Sequence, residues 1–277
     1  MTGDARRRQL GDNDAPVEEE IEEHFERIVE EGAQRLARSW SSMLVTGTFG
    51  GMEIGVGVMA YLVVMHETHN HLLAGLAFGI GMIALLLAKS ELFTEGFLVP
   101  IAAVAAKEAS IRQLLRLWGT TLVMNLVGGW IFMWIVVQAF PQWKPDLEEA
   151  ARHFVDAGFT LQSVCLAVLA GSTITLMSRM QQGTDSDVAK MAVAVADGFI
   201  LVGLQLFHSV LDSLLIFGAI HAGVPIDYMD WLGWFGYTVL FNMLGGLLLV
   251  TALRLVRNKE LIRERREHAP EDPEAAR

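Results

Sequence analysis

Two apolar stretches of this chain, residues 72–106 and 188–220, are each too long for one straight membrane span and each is interrupted near its middle. The first break reads Lys89, Ser90, Glu91, Leu92, Phe93, Thr94, and the second Leu206, Phe207, His208, Ser209. In hydrocarbon every backbone N–H and C=O needs a partner inside the protein, so irregular polar chain persists at membrane depth only where protein buries it or it lines a cavity. A break therefore points to a pathway, and two matched breaks point to a transporter built from related halves.

A membrane setting follows from 52% hydrophobic residues over 277 and a mean hydropathy of +0.38, values unusual for a soluble domain. Much of the formal charge of −11 comes from the run Glu18–Glu23 and the tail Glu271–Glu274. The core is nearly uncharged, and no nucleic-acid partner is expected. Cys165 is the single cysteine, so no intrachain disulfide can form; within an apolar segment it reads as a buried, inert thiol. Met1 to Arg8 lead into acidic residues rather than an apolar h-region, which argues against a cleaved signal peptide.

Six apolar segments stand out: 41–65, 72–106, 117–140, 159–178, 188–220 and 232–256. Four have the roughly 20-residue length of a span, and the two long ones fit a helix, a break and a second short helix. Lys107, Arg112, Arg116, Arg179 and Lys190, with the basic flank from Arg254 to Arg266, lie on one side; Lys144 and Arg152 lie on the other. The positive-inside rule then makes both termini cytoplasmic in a multi-pass inner-membrane protein, with Trp143, Tyr228 and Trp231 as external interfacial anchors. Residues 1–40 form a cytoplasmic tail and amphipathic helix, 41–256 the six-helix domain, and 257–277 a cytoplasmic tail. On the helix, Ile21, Phe25, Ile28, Val29, Ala33, Leu36 and Trp40 share one face. That face fits the membrane interface, a neighbouring subunit, or a solvated linker. The first ~15 and last ~10 residues have a disordered composition.

Asn125, Gly128 and Gly129 in the third segment match Asn242, Gly245 and Gly246 in the sixth, 117 positions on, and aligning Leu92 with Leu206 sets the breaks 114 apart. Three spans per half is odd, so the second half enters the membrane reversed and the repeat is inverted. The glycines alone read as close helix packing; the Asn residues read either as packing or as bridges across a broken helix.

Ser90 to Glu95 followed by Phe97, Leu98, Val99 and Pro100 resembles the signature loop of the formate/nitrite transporter family, and Phe207, His208 and Ser209 resemble its central histidine motif. Asn125 to Gly128 and Asn242 to Gly246 are similar to its third and sixth helices, so the resemblance spans roughly residues 20–258. It implies an all-α, aquaporin-like protomer of six helices in two inverted repeats, with its own pore, assembled as a homopentamer. The implied cargo is a small monovalent weak-acid anion such as formate, nitrite, lactate or hydrosulfide, moving with protons. Glu95-Gly96, the fourth segment Leu169 to Ile174, and Asp212 depart from the family pattern and leave the cargo open.

The residues suggest a mechanism. A bare anion at the bilayer centre is costly, so it must be solvated or neutralised, and His208 is the residue that can protonate it or hydrogen-bond it. Leu92 and Phe93 form the apolar constriction, Thr94 orients His208 or substrate, and Lys89 with half-helix N-termini draws anions in. Glu91 pairs with Lys89 or snorkels into a vestibule, and Asp212, one turn after His208, hydrogen-bonds the imidazole or a neighbouring subunit. His66, Glu67, His69 and His71 lack diagnostic metal spacing and read as a wet loop; no metal or cofactor is called for. A neutral-solute channel is the nearest alternative, although no paired Asn-Pro-Ala motif occurs. An intramembrane hydrolase built on Ser209, His208 and Asp212 is less favoured, because adjacent helical residues point about 100° apart.

Overall fold

The computed structural model describes residues 16–268, and every regular element among them is helical. Pro16–Leu36 forms α1, Trp40–Thr68 α2, His71–Ala88 α3, Val99–Ala105 α4 and Ile111–Ala139 α5. Lys144–Val155 (α6) leads to Leu161–Gln182 (α7), Asp187–Gly203 (α8), Ser209–His221 (α9) and Tyr228–Leu244 (α10), followed by Ala252–Arg257 (α11) and Lys259–His268 (α12). Ser39, Asn70 and Ser186 accept backbone N–H bonds as N-caps, while Ser110 with Gln113, Thr160 with Ser163, and Asp227 with Asp230 form reciprocal boxes. These side chains satisfy donors that a helix start leaves orphaned.

Among the described residues, five segments are long and apolar enough to cross a membrane: α2, α3, α5, α7 and the rod Tyr228–Arg257. Several outrun the apolar count. α5 starts at Ile111 rather than 117, because hydropathy stops at Arg116 whereas the helix runs back to its cap at Ser110. The Arg116 guanidinium is not left in hydrocarbon; it donates to the carbonyls of Leu36 and Arg38. Within the rod, Gly245–Thr251 is π-helical, and Thr251 Oγ1 donates to the Phe97 carbonyl at 2.5 Å. The two long stretches are split between α3 and α4, where a 3-10 turn covers Phe93–Phe97, and between α8 and α9.

Helices of each half approach closely. A Cβ added at Gly51 of α2 would run into the Asn125 carbonyl on α5, and one at Gly171 of α7 into the Asn242 carbonyl on α10. Small residues let backbones meet in this way, which is how membrane helices gain contact without a hydrophobic driving force. Leu92, Phe93, Leu206 and Phe207 all lie in the main buried cluster.

Several sequence expectations change. The apolar face of α1 packs on its own chain, with Phe25, Ile28 and Val29 against Val99, Ala102 and Ala106, and Leu261 and Ile262 of α12 closing the cluster. Trp40 belongs to α2 instead; its side chain is exposed, with the Arg116 guanidinium 5.6 Å from the ring centroid. The 141–158 connection contains α6, whose Leu147, Ala150, Ala151 and Phe154 are buried. Trp143 is no anchor: it is buried and stacks on Phe140 at 4.2 Å. Cys165 is exposed, because α7 turns that side outward. The disordered tails of the sequence reading, before residue 16 and after 268, lie outside the described residues.

Candidate functional site: two bridged breaks and a vestibule

One asparagine bridges each break. Asn125 accepts the Phe93 N–H (2.9 Å) and donates to the carbonyls of Gly47 and Glu91, each at 2.8 Å. Asn242 accepts the Ser209 N–H (2.8 Å) and donates to the carbonyls of Ala167 and Phe207, each at 2.8 Å. Each side chain thus satisfies two backbone groups that its break releases and ties them to a carbonyl of a continuous neighbouring helix, as burial demands. Matching Glu91 to Phe207 and Phe93 to Ser209 gives a register of 116 residues, not the 114 obtained by aligning Leu92 with Leu206. Lys89 (φ 54) and Gln205 (φ 52) end their helices left-handed at the same spacing, and Ser90 N–H to Leu85 matches Leu206 N–H to Leu201. In this register Leu92 and His208 are counterparts. Their backbones agree, at φ −110, ψ 130 and φ −107, ψ 115, and each stands at the N-cap position of the helix or turn that follows, His208 alone accepting a bond with its side chain.

His208 faces across the halves. Its Nε2 lies 2.9 Å from Thr94 Oγ1, while Nδ1 accepts the Leu211 N–H at 3.1 Å. With Nδ1 accepting, the neutral ring carries its hydrogen on Nε2 and donates to the Thr94 hydroxyl, a tautomer inferred from the hydrogen-bond network. Asp212 does not bond the imidazole; its Oδ2 accepts the backbone N–H of His208 at 2.7 Å, where the α9 N-terminus favours an acidic group. Ser209 Oγ is buried with no hydrogen-bond partner among the described residues. Neither ring nitrogen of His208 meets Ser209 or Asp212, so these three side chains form no nucleophile–base–acid chain.

Each break is wrapped in aromatic rings. Phe93 sits edge-on to Phe97 (5.2 Å) and Trp118 (6.3 Å), and Trp118 Nε1 donates to the Gly96 carbonyl at 3.0 Å. Phe207 meets Phe154 at 5.5 Å, His153 at 5.7 Å and Trp234 at 6.2 Å. Burial lowers the His153 pKa, partly offset by a hydrogen bond to the Gln205 backbone. Sequence reasoning missed Phe154 and His153 because it read their segment as plain loop. The signal was the helical spacing of Leu147, Ala150, Ala151 and Phe154.

Beside the first break lies a cavity of about 670 Å³, lined among others by Arg35, Arg38, Lys89, Lys190, Glu91 and Glu95. Glu91 is not paired with Lys89, which is exposed on a left-handed turn. Its carboxylate accepts from Arg35 Nε (2.9 Å) and Nη2 (2.5 Å), and from Arg38 Nη1. Burial on its own lowers the Arg35 pKa, but Glu91 outweighs that and raises it, so the guanidinium stays charged. Ser90 Oγ donates to Glu53 Oε1 on α2 at 2.9 Å. Neither arginine nor Glu53 was picked out from sequence, because contacts spanning 56 and 37 residues leave no local pattern. His66 Nδ1 lies 2.9 Å from Asp146 Oδ2, and no group of three His, Cys, Asp or Glu side chains among the described residues could hold a metal.

Known proteins share this architecture. The sequence profile of the formate/nitrite transporter family matches residues 22–256. Inner membrane protein YfdC of Escherichia coli K12 is 25% identical over 234 residues, covering 80% of this chain and 73% of that protein. The uncharacterized transporter YrhG of Bacillus subtilis 168 is 22% identical over 260 residues, covering 89% and 96%. Among solved structures, a pentameric formate channel with formate bound superposes with a TM-score of 0.67 at 21% identity, covering 78% of this chain and 96% of that one.

Proposed function

Because the chain belongs to the formate/nitrite transporter family, we propose that it moves small monovalent weak-acid anions of the formate and nitrite kind across the inner membrane. The path runs from the vestibule, past Leu92 and Phe93, to the Thr94–His208 pair. In this reading both termini and the vestibule are cytoplasmic, and the working form is a homopentamer in which every protomer has its own pore.

The bond between His208 Nε2 and Thr94 Oγ1 carries the proposal. It puts a polar donor and a rotatable hydroxyl between two apolar aromatic layers, where a dehydrated permeant has few other partners. Lys89 and Lys190 at the vestibule draw anions in, while Arg35 and Arg38 neutralise Glu91 there. Carrying a bare anion through an apolar constriction costs tens of kcal/mol by the Born argument. Protonating a weak acid about three pK units below ambient pH costs only ~4 kcal/mol. The neutral acid is therefore the cheaper passenger, and vestibule water supplies its proton. His208 acts as a neutral hydrogen-bond donor through Nε2: adding a proton at Nδ1 would displace the Leu211 N–H that already points there.

The test is uptake of formate, nitrite, lactate and hydrosulfide into proteoliposomes at two pH values about one unit apart. Uptake of the preferred weak acid is expected to rise roughly tenfold with the neutral fraction; flux that ignores pH overturns the neutral-acid route. His208→Ala and His208→Phe are expected to lose about tenfold or more, a barrier change of ~1.4 kcal/mol, with assembly intact. Wild-type uptake by both variants removes the histidine from the mechanism.

A further inference from the structure

We propose that Glu95 hands the permeant its proton: its carboxyl, lining the vestibule and next in sequence to Thr94, protonates the weak-acid anion before it enters the constriction. The inference rests on the transport reading above and deepens it by naming the group that holds the proton.

The 3-10 turn Phe93–Phe97 buries Phe93, Thr94, Gly96 and Phe97, and Glu95 is its one partly exposed residue. Glu95 forms part of the vestibule wall with Arg35, Lys89 and Glu91. The turn that carries Phe93 and Thr94 thus also sets a carboxyl in the cavity from which a permeant reaches them.

Other acids of the vestibule are committed or open to bulk water. Glu91 has its oxygens on Arg35 and Arg38, so it holds charge rather than a proton. Glu31 accepts from Gln182 at 3.1 Å and lies 3.8 Å from Arg35, with its side chain 46% exposed. Asp187 is exposed in the first turn of α8. Glu95 instead meets Arg35, Glu91, Glu31 and Glu53 as charges and not through hydrogen bonds, and Asp197 of α8 feels it. Arg35, the cation of that set, is itself bonded to Glu91. Of the elements packed on the turn, α5 carries Arg112 and Arg116 near its start, α7 carries Arg179 near its end and α10 Asp230 in its first turn, while α4 and the π-helical segment have no charged side chain. A carboxyl among carboxylates, in reach of water on one side, suits a group that takes up a proton and passes it on near neutral pH.

In the step itself the Glu95 O–H bond breaks as an O–H bond forms on the anion. The carboxylate left behind takes its next proton from vestibule water, and no electron changes hands. Water remains the source of the proton, and Glu95 keeps one in place between passengers. Lys89 and Lys190, also in the vestibule wall, bring the anion to it.

The measurement is formate uptake into proteoliposomes holding full-length wild type, Glu95→Gln or Glu95→Asp, from about pH 7.5 down to about pH 5.5, with flux into protein-free liposomes subtracted. Glu95→Gln has no proton to give and is expected to lose about tenfold at the upper pH. Its deficit is expected to shrink as the pH falls, because bulk water then supplies more of the neutral acid directly. Glu95→Asp keeps a carboxyl and is expected to stay within about threefold of wild type. Wild-type uptake by Glu95→Gln at every pH overturns the proposal, and so does a loss by the same factor at every pH, which marks a structural defect. If Glu95→Gln does not assemble, Glu95→Ala also lacks the proton and is read in the same way. A wild-type protein that moves no weak acid sinks the transport reading and this inference together, whereas active transport with a variant profile parallel to wild type sinks the inference alone.

Discussion

Thr94 and His208 meet across 114 residues of sequence, and each is held by different means. His208 is fixed three times over: Nδ1 by the Leu211 N–H, its own N–H by Asp212, and the following N–H by Asn242. Thr94 is held by the turn around it and by the imidazole. Removing its hydroxyl leaves a buried Nε2–H without an acceptor, a loss of about 1–3 kcal/mol. Thr94→Val is therefore expected to slow weak-acid uptake by roughly one to two orders of magnitude, while Thr94→Ser stays near wild type. A loss in Thr94→Ser with wild-type uptake in Thr94→Val would instead assign the role of Thr94 to its methyl group. Glu91 shows the contrasting use of an acid near a pathway: with Arg35 and Arg38 on its oxygens, it ties α1 to the first break.

At the scale of elements, the bridges from Asn125 and Asn242 hold the breaks open as defined structures. Asn242→Ala orphans the Ser209 N–H and the Phe207 carbonyl, and at ~1–3 kcal/mol each the loss reaches roughly 2 kcal/mol or more. Thermal unfolding in detergent is expected to show a comparable drop for Asn125→Ala, because its three bonds are the same; a much smaller effect at either site would mean the break relaxes onto other partners. These asparagines were visible in the sequence as a repeated motif, and the breaks as polar faults in apolar runs, because both are local patterns. Hidden were the register, the helix over Lys144–Val155, and the seat of Pro16–Leu36. Periodicity tells which face of a helix is apolar but not which surface covers it, so Phe25 and Ile28 gave no hint of Val99 and Ala102. Glu91 likewise gave no hint of Arg35, since an ion pair between distant segments is decided by packing alone.

Seen whole, the protomer leaves a broad apolar exterior: Phe49, Ile80, Val123, Ile135, Leu248 and Leu253 are all exposed. A surface of this kind requires lipid or other copies of the chain. Native mass spectrometry of detergent-extracted protein is expected to show five copies of the 30.5 kDa chain; a well-folded monomer would overturn the pentamer. Leu92 and His208, matched in backbone, give the molecule a history. They occupy one joint built twice, as duplication of a three-helix ancestor would leave it. Once duplicated, the two copies of that joint could diverge, one to leucine and the other to histidine. Because both copies sit on a single chain, the apolar and the polar version of the joint are inherited together.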